Sequence, residues 1–318
     1  MNIFARILDT DLEYLKNHLD ELYKKDERNK TLLHYAVLAN SLEITSYLIM
    51  VGLDVNACDI SNESCIFDAA RKGKLEIMKL LINSNANLNI VNSLGETPIH
   101  LACKKGDIEV VKLLVENNSL LNIKTRDELL PIHYSISSCN MECFLYVLEK
   151  SNLSSLLIDS HKNTLLHYAC KNQHYELIKY LLNEGLDVNS LNDLFETPLF
   201  YASKYTNVDI LKELIKYGAL LDIRNRRYET ALDYAKNNNS EETYKYLLEY
   251  SQSTEYNKTK DDNILTLAVL NRDYDLIKIL IKNYSPMLKN RYNKTALDYA
   301  KELNLSYFID ILSSYPVL

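Results

Sequence analysis

The sequence has no tryptophan, and only six glycines and five prolines among its 318 residues. So few flexible and turn-forming residues exclude several glycine-rich phosphate loops and a fold built from many β-hairpins. No hydrophobic run approaches the length of a membrane span: Tyr47–Val51 is among the longest apolar stretches. The first fifteen residues meet Asp9, Asp11 and Glu13 before an apolar signal core could form, so no cleavable leader is expected. Positive charge is also in deficit, 36 Lys and Arg against 43 Asp and Glu, a formal charge of −7 that disfavours general binding to nucleic acid or anionic lipid. The six cysteines form no CxxC pair and no dense framework. They are expected to be small buried residues in a reducing compartment, which implies a cytoplasmic protein. Export by a route without a cleavable signal would leave the same sequence.

Leu, Ile, Lys, Glu, Asn and Tyr are plentiful, and 47% of the residues are hydrophobic. The implied fold is mostly helical. Self-comparison then shows a period. Thr31–Ala36 (TLLHYA) recurs as 64–69 (SCIFDA), 97–102 (TPIHLA), 130–135 (LPIHYS), 164–169 (TLLHYA), 197–202 (TPLFYA) and 230–235 (TALDYA). Degenerate and final copies stand at 263–268 (NILTLA) and 295–300 (TALDYA). The successive spacings are 33, 33, 33, 34, 33, 33, 33 and 32 residues. Each copy encodes a short helix: Thr97 suits an N-cap, Pro98 the first helical position, and Ile99, Ala102 and Cys103 share one face. Gly106 ends that helix, Asp107 caps a second, and Val110, Val111, Leu113 and Leu114 form its apolar stripe. Asn- and Asp-rich segments such as Asn87–Ile90 and Asp187–Asn189 lead by a β-turn to the next copy.

A period of 33 with the signature T-P-L-H-x-A resembles the ankyrin-repeat family, and the resemblance covers Lys30 to the end of the sequence in nine units. It implies an all-α solenoid of stacked helix-turn-helix units joined by β-turn or hairpin loops. It also implies that the motif histidines His34, His100, His133 and His167 hydrogen-bond the motif threonine and adjacent backbone rather than bind metal. Residues 1–29 are expected to be a helical cap, with Ile3, Phe4, Ile7, Leu8, Leu12, Leu15, Leu19 and Leu22 as its apolar positions. Repeats one to seven fill 30–250, residues 251–262 form a polar hinge or widened loop, and 263–318 hold repeats eight and nine with a C-terminal cap. A break in the stacking is expected near residue 255.

No GxSxG, GxxxxGK[ST], HExxH or GxGxxG motif occurs, and although Cys139 and Cys143 stand four apart, the sequence offers nearby no two further ligands for a tetrahedral zinc site. No catalytic residue, metal or cofactor is therefore assigned. The resemblance implies a partner protein held on the concave face formed by loop tips and first helices. Candidate contacts are the apolar tip residues Leu94 and Leu129, the run Asp193, Leu194 and Phe195, the Arg226, Arg227, Tyr228 cluster, and its echo in Arg291 and Tyr292. Tyr205 joins them at the end of an inner helix. Glu96, one of four tip glutamates with Glu63, Glu196 and Glu229, alternates with helix cations that include Lys104 and Lys105. The mixed signs favour a protein over a polyanion. The alternative for Phe195 and Tyr228 is packing on a neighbouring hairpin, with the arginines paired to Glu196 and Glu229. A monomer is expected, and a secreted or host-directed effector, or an enzyme with a site unmarked by any motif, would leave the same sequence.

Overall fold

The computed structural model describes residues 3–152, 157–205, 207–257, 263–282, 284–290 and 292–314. The chain divides into two compact units, Met1–Ser154 and Ser155–Leu318. In the first, α1 (Ile3–Leu8) and α2 (Leu12–Lys16) precede four helix pairs: α3 (Leu32–Leu38) with α4 (Leu42–Met50), α5 (Cys65–Lys72) with α6 (Leu75–Asn83), α7 (Pro98–Lys105) with α8 (Ile108–Glu116), and α9 (Pro131–Ser137) with α10 (Met141–Ser151). The second holds α11 (Leu165–Lys171) with α12 (Tyr175–Asn183), α13 (Pro198–Ser203) with α14 (Val208–Lys216), and α15 (Ala231–Asn237) with α16 (Glu241–Ser251). It ends with α17 (Ile264–Leu270), α18 (Tyr274–Leu280), α19 (Ala296–Glu302) and α20 (Ser306–Ser313). No β-strand is formed among the described residues; isolated bridges at Lys25/Thr31 and Ile158/Thr164 are the only extended pairings there.

The third repeat shows why the pattern folds this way. Thr97 is extended, φ −106°, and Pro98 starts α7 where a missing N–H costs nothing. Gly106 takes φ 74° to end it, and Asp107 caps α8 by accepting the Val110 N–H at 3.4 Å. Ile99, Ala102 and Cys103 on one helix and Val110, Val111 and Leu114 on the other are wholly buried. Each of the larger ones contributes on the order of 2 kcal/mol of burial that one repeat alone could not provide. First helices therefore stack on first helices, α1 on α3, α5, α7 and α9 in the first unit and α11 on α13 and α15 in the second, while second helices stack likewise.

The motif histidines join one repeat to the next. In His34, His100 and His167, Nδ1 accepts the N–H of Thr31, Thr97 or Thr164 at 3.0–3.1 Å. Each Nε2–H donates to a carbonyl of the following repeat, Glu63, Leu129 or Glu196, at 3.1–3.3 Å. Burial pushes the imidazoles of His100 and His167 down to about 4, so they are neutral at pH 7. In repeats seven and nine Asp233 and Asp298 replace the histidine and accept the Thr230 and Thr295 N–H instead.

Several expectations need correction. Leu8 and Leu19 are 51% and 56% exposed, because α2 stops at Lys16 and a 3₁₀ turn follows. Two cysteines depart from the buried pattern: Cys58 is half-buried, and Cys139 is exposed at φ 54° between α9 and α10, the position Gly106 fills one repeat earlier. Within 251–262 the backbone makes a helical turn at 254–257, and Tyr256 is buried; residues 258–262 lie outside the described residues. The Tyr256 hydroxyl accepts the N–H groups of Leu221 and Asp222 at 3.0 and 3.2 Å and donates to the Asp222 carboxylate at 3.0 Å.

Stacking changes partner after this point. Side-chain bonds between repeats up to Tyr256 join residues 28–38 apart, such as Asn189 Nδ2 to the Gly218 carbonyl. Beyond it, Asn271 Oδ1 accepts the Arg224 N–H and its Nδ2 donates to the Asp222 carbonyl, 47 and 49 residues away. The Tyr292 hydroxyl donates to the Tyr217 carbonyl, and the Tyr299 hydroxyl and Lys294 Nζ donate to the Asp187 carboxylate, at separations of 75, 112 and 107. Repeats eight and nine thus return against the turns of repeats five to seven.

Candidate protein-binding surface

Each loop tip is built on one side chain placed five residues before the motif start. Asn92 Oδ1 accepts the N–H groups of Leu94 and Glu96 at 2.9 Å, and Asn192 does the same for Leu194 and Glu196 at 2.9 and 3.0 Å. Asp26, Asp59, Asp159, Asn225 and Asn290 repeat the arrangement. These residues were absent from the sequence-derived candidates, although an Asp or Asn at a 33-residue period was the signal. The apex takes φ > 0, at Asn62, Gly95, Glu128, Lys162, Phe195 and Tyr228. Neighbouring tips are tied by backbone bonds: Ser93 N–H to Ser61 and Arg126 N–H to Leu94 in the first unit, Asp193 N–H to His161 and Arg226 N–H to Leu194 in the second, all 2.9–3.0 Å. The tips are therefore pre-ordered, with their side chains free to vary.

Most candidate contacts lie on this framework. In the first unit Leu94 is 58% exposed, and Lys104 and Lys105 are exposed at the end of α7. In the second, Leu194, Arg226, Arg227 and Tyr228 are exposed on adjacent tips, and Tyr205 is 38% exposed beyond α13. Asp193 is half-buried and forms an ion pair with Lys162 at 3.4 Å.

Three candidates are withdrawn. Glu96 is buried, accepting from Asn92 Nδ2 and the Tyr134 hydroxyl at 2.8 Å, so its charge serves the junction between repeats three and four. Leu129 lies past the apex Glu128, is half-buried, and offers its carbonyl to His100. Tyr292 is half-buried and bonded to Tyr217 at 2.7 Å. Arg291 lies outside the described residues. The alternating charges are partly cancelled inside the fold as well: Arg71 bridges Glu63 and Asp68 at 2.7 Å, and Lys30 reaches Asp68 at 3.0 Å.

The arginines of the seventh tip do not pair with the neighbouring glutamates among the described contacts. Glu196 instead accepts from the Tyr234 hydroxyl at 3.0 Å, and Glu229 from Asn225 and Asn237 at 3.2 and 3.1 Å. Arg226 lies with Cζ 4.9 Å from the Phe195 ring centroid. Arg272, between α17 and α18, approaches the same ring to 3.1 Å. Arg272 was not anticipated. It holds φ 57° where Gly106 stands in the third repeat, and nothing local in its sequence points towards Phe195.

Among the described residues no group of three or more His, Cys, Asp or Glu side chains could hold a metal ion, and no helix is long and apolar enough to cross a membrane.

Comparison with known proteins agrees with this geometry. A family model described as "Ankyrin repeats (3 copies)" matches residues 40–127, 66–156, 120–192 and 166–260. No curated protein matches the chain. Among solved structures, the crystal structure of the human ASB11 ankyrin repeat domain is similar, with a TM-score of 0.59 and 29% identity, over 68% of this chain and 96% of that one. With a 33-residue period, histidine-linked first helices and a family match over more than half its length, the chain belongs to the ankyrin-repeat family.

Proposed function

We propose that this chain is a non-catalytic module that binds a protein partner through its loop tips and the exposed ends of its first helices. The observation that carries the reading is the set of exposed apolar and cationic side chains, Leu94, Leu194, Arg227 and Tyr228, on tips already fixed by their own hydrogen bonds. Ordering entropy has been lost on folding, so association costs less, and exposed Leu, Tyr and Arg supply desolvation and directional contacts. Ankyrin-repeat folds typically serve as interaction scaffolds, which supports the same reading. Residence in the cytoplasm and a monomeric state belong to the proposal, and the unpaired buried thiols of Cys65, Cys103, Cys143 and Cys170 are consistent with a reducing compartment.

The test is affinity capture from the source cell with wild type and with a Leu194→Ser, Arg227→Glu, Tyr228→Ser variant. All three positions are exposed, so circular dichroism should be unchanged. Selective loss of one captured protein is the expected outcome; identical capture by both would remove these tips from the binding surface.

A further inference from the structure

Where α17 and α18 return against the tips of repeats six and seven they enclose an open cavity of about 1010 Å³. Its lining includes the apolar side chains of Ile264, Leu267 and Leu276. Its rim carries Arg224, Arg226 and Arg272. Two of these guanidiniums converge on one ring, Arg226 and Arg272 lying 4.9 and 3.1 Å from the Phe195 centroid.

Like charges gathered in this way need a counter-charge, and the neighbouring carboxylates are occupied by other donors. Asp222 accepts from the Tyr256 hydroxyl at 3.0 Å, and Asp273 caps α18 by accepting the Leu276 N–H at 2.9 Å. Among the described residues no ion pair joins Asp273 to Arg224, Arg226 or Arg272. Burial and the adjacent Arg226 push Arg272 down to about 10, while its Nη1 donates to the Leu270 carbonyl at 2.6 Å. All this occurs in a chain whose net charge is −7, so the local sign is opposite to that of the whole.

Guanidinium forks match carboxylates in bidentate geometry, and a lining that combines apolar side chains with three arginines calls for a ligand with both characters. The volume, at the upper end of small-molecule pockets, admits a few residues of extended chain. We propose that this cavity binds an acidic peptide segment of the partner protein, its Asp or Glu carboxylates on Arg224, Arg226 and Arg272 and an apolar side chain against Ile264 and Leu267. This rests on the protein-binding reading and sharpens it. The site exists only because repeats eight and nine turn back, and is distinct from the exposed tip surface of the first unit.

The full chain, immobilised, is used to select from a display library of random peptides of about 12 residues, in wild-type form and as an Arg224→Gln, Arg226→Gln double variant. Both side chains are exposed, so the variant retains its fold, and circular dichroism confirms it. Wild type should enrich peptides carrying two or more Asp or Glu beside an apolar residue. By fluorescence anisotropy an enriched peptide should bind the double variant at least about tenfold more weakly. Its affinity for wild type should fall as NaCl rises from about 50 to about 300 mM. Absence of acidic enrichment, or equal binding to the double variant, overturns the proposal. So does full displacement by inorganic phosphate at concentrations that leave ionic strength nearly unchanged, which would mark a simple anion site. If the tip variant loses its captured protein while acidic peptides fail to bind, the protein-binding reading stands and this cavity falls.

Discussion

The two units use the same repeat with different consequences. In the first, each described repeat bonds only to its sequence neighbour, from Asn29 on Cys58 to Asn140 on Gly106, so stability is close to a sum of like interfaces. In the second, Asp187 is reached by Lys294 and Tyr299 from more than a hundred residues away. A repeat array remains one-dimensional only while each turn finds its partner in the next copy. Asp222 stands where the preceding repeat has Asn189, and the Tyr256 hydroxyl occupies the amides there. Asn271, arriving from further along the chain, bonds the adjacent backbone, and a two-dimensional arrangement results.

The largest way to break this difference is Asp187→Ala. It removes the acceptor of the buried Tyr299 hydroxyl at 2.6 Å and one of two partners of Lys294 Nζ, which keeps Glu302 at 3.0 Å. The expected loss is about 1–3 kcal/mol confined to the second unit. Hydrogen exchange should show protection falling in 264–313 while the helices of 32–151 are unaffected.

Acid separates the histidine repeats from the aspartate repeats. His100 and His167 sit at about 4 in the fold against an ordinary 6.5, so the unfolded chain takes up their protons first. Their contribution is complete above pH 6.5 and is lost as pH falls towards 4, on the order of 2–3 kcal/mol for each. Asp298 is held below its ordinary 3.8 by the N–H and hydroxyl of Thr295, so its contribution persists until pH drops below 3.8. Amide exchange followed through an acid titration should show α7 and α11 yielding before α19; simultaneous loss would remove the histidines as the cause.

A third comparison concerns equivalent tips. A Cβ at Gly95 would meet Arg126 N and Thr125 Cα at 3.0 Å, with φ at +80°. Gly95→Ala should cost about 1–2 kcal/mol in a denaturant titration. Tyr228 holds the equivalent apex at φ 62° and is 81% exposed. Tyr228→Gly should give the smallest effect, a gain of a few tenths to about 1 kcal/mol from relief of left-handed strain, offset by unfolded-state entropy. A clear loss would mean that the Tyr228 ring contributes to folding rather than to contact.

The repeat register, the Asp107 helix cap and the structural role of the motif histidines were readable because each depends on neighbours within one period. Exposure at Leu94, Leu194 and Tyr228 was readable for the same reason. The burial of Glu96 was not, since it depends on Tyr134 standing one repeat later at the height of its carboxylate. Nor was Arg272 over Phe195, two side chains 77 positions apart with no shared pattern.

By itself the sequence determined the ankyrin repeat, its period and the chemical character of its tips, because a 33-residue recurrence of capping residues and apolar faces admits one local solution repeated. Only the tertiary structure decided where the last two repeats go and that two arginines, Arg226 and Arg272, gather around one phenylalanine. Those outcomes follow from single hydrogen bonds made by Asp187, Tyr256 and Asn271 across large separations, and no periodicity encodes a contact made once.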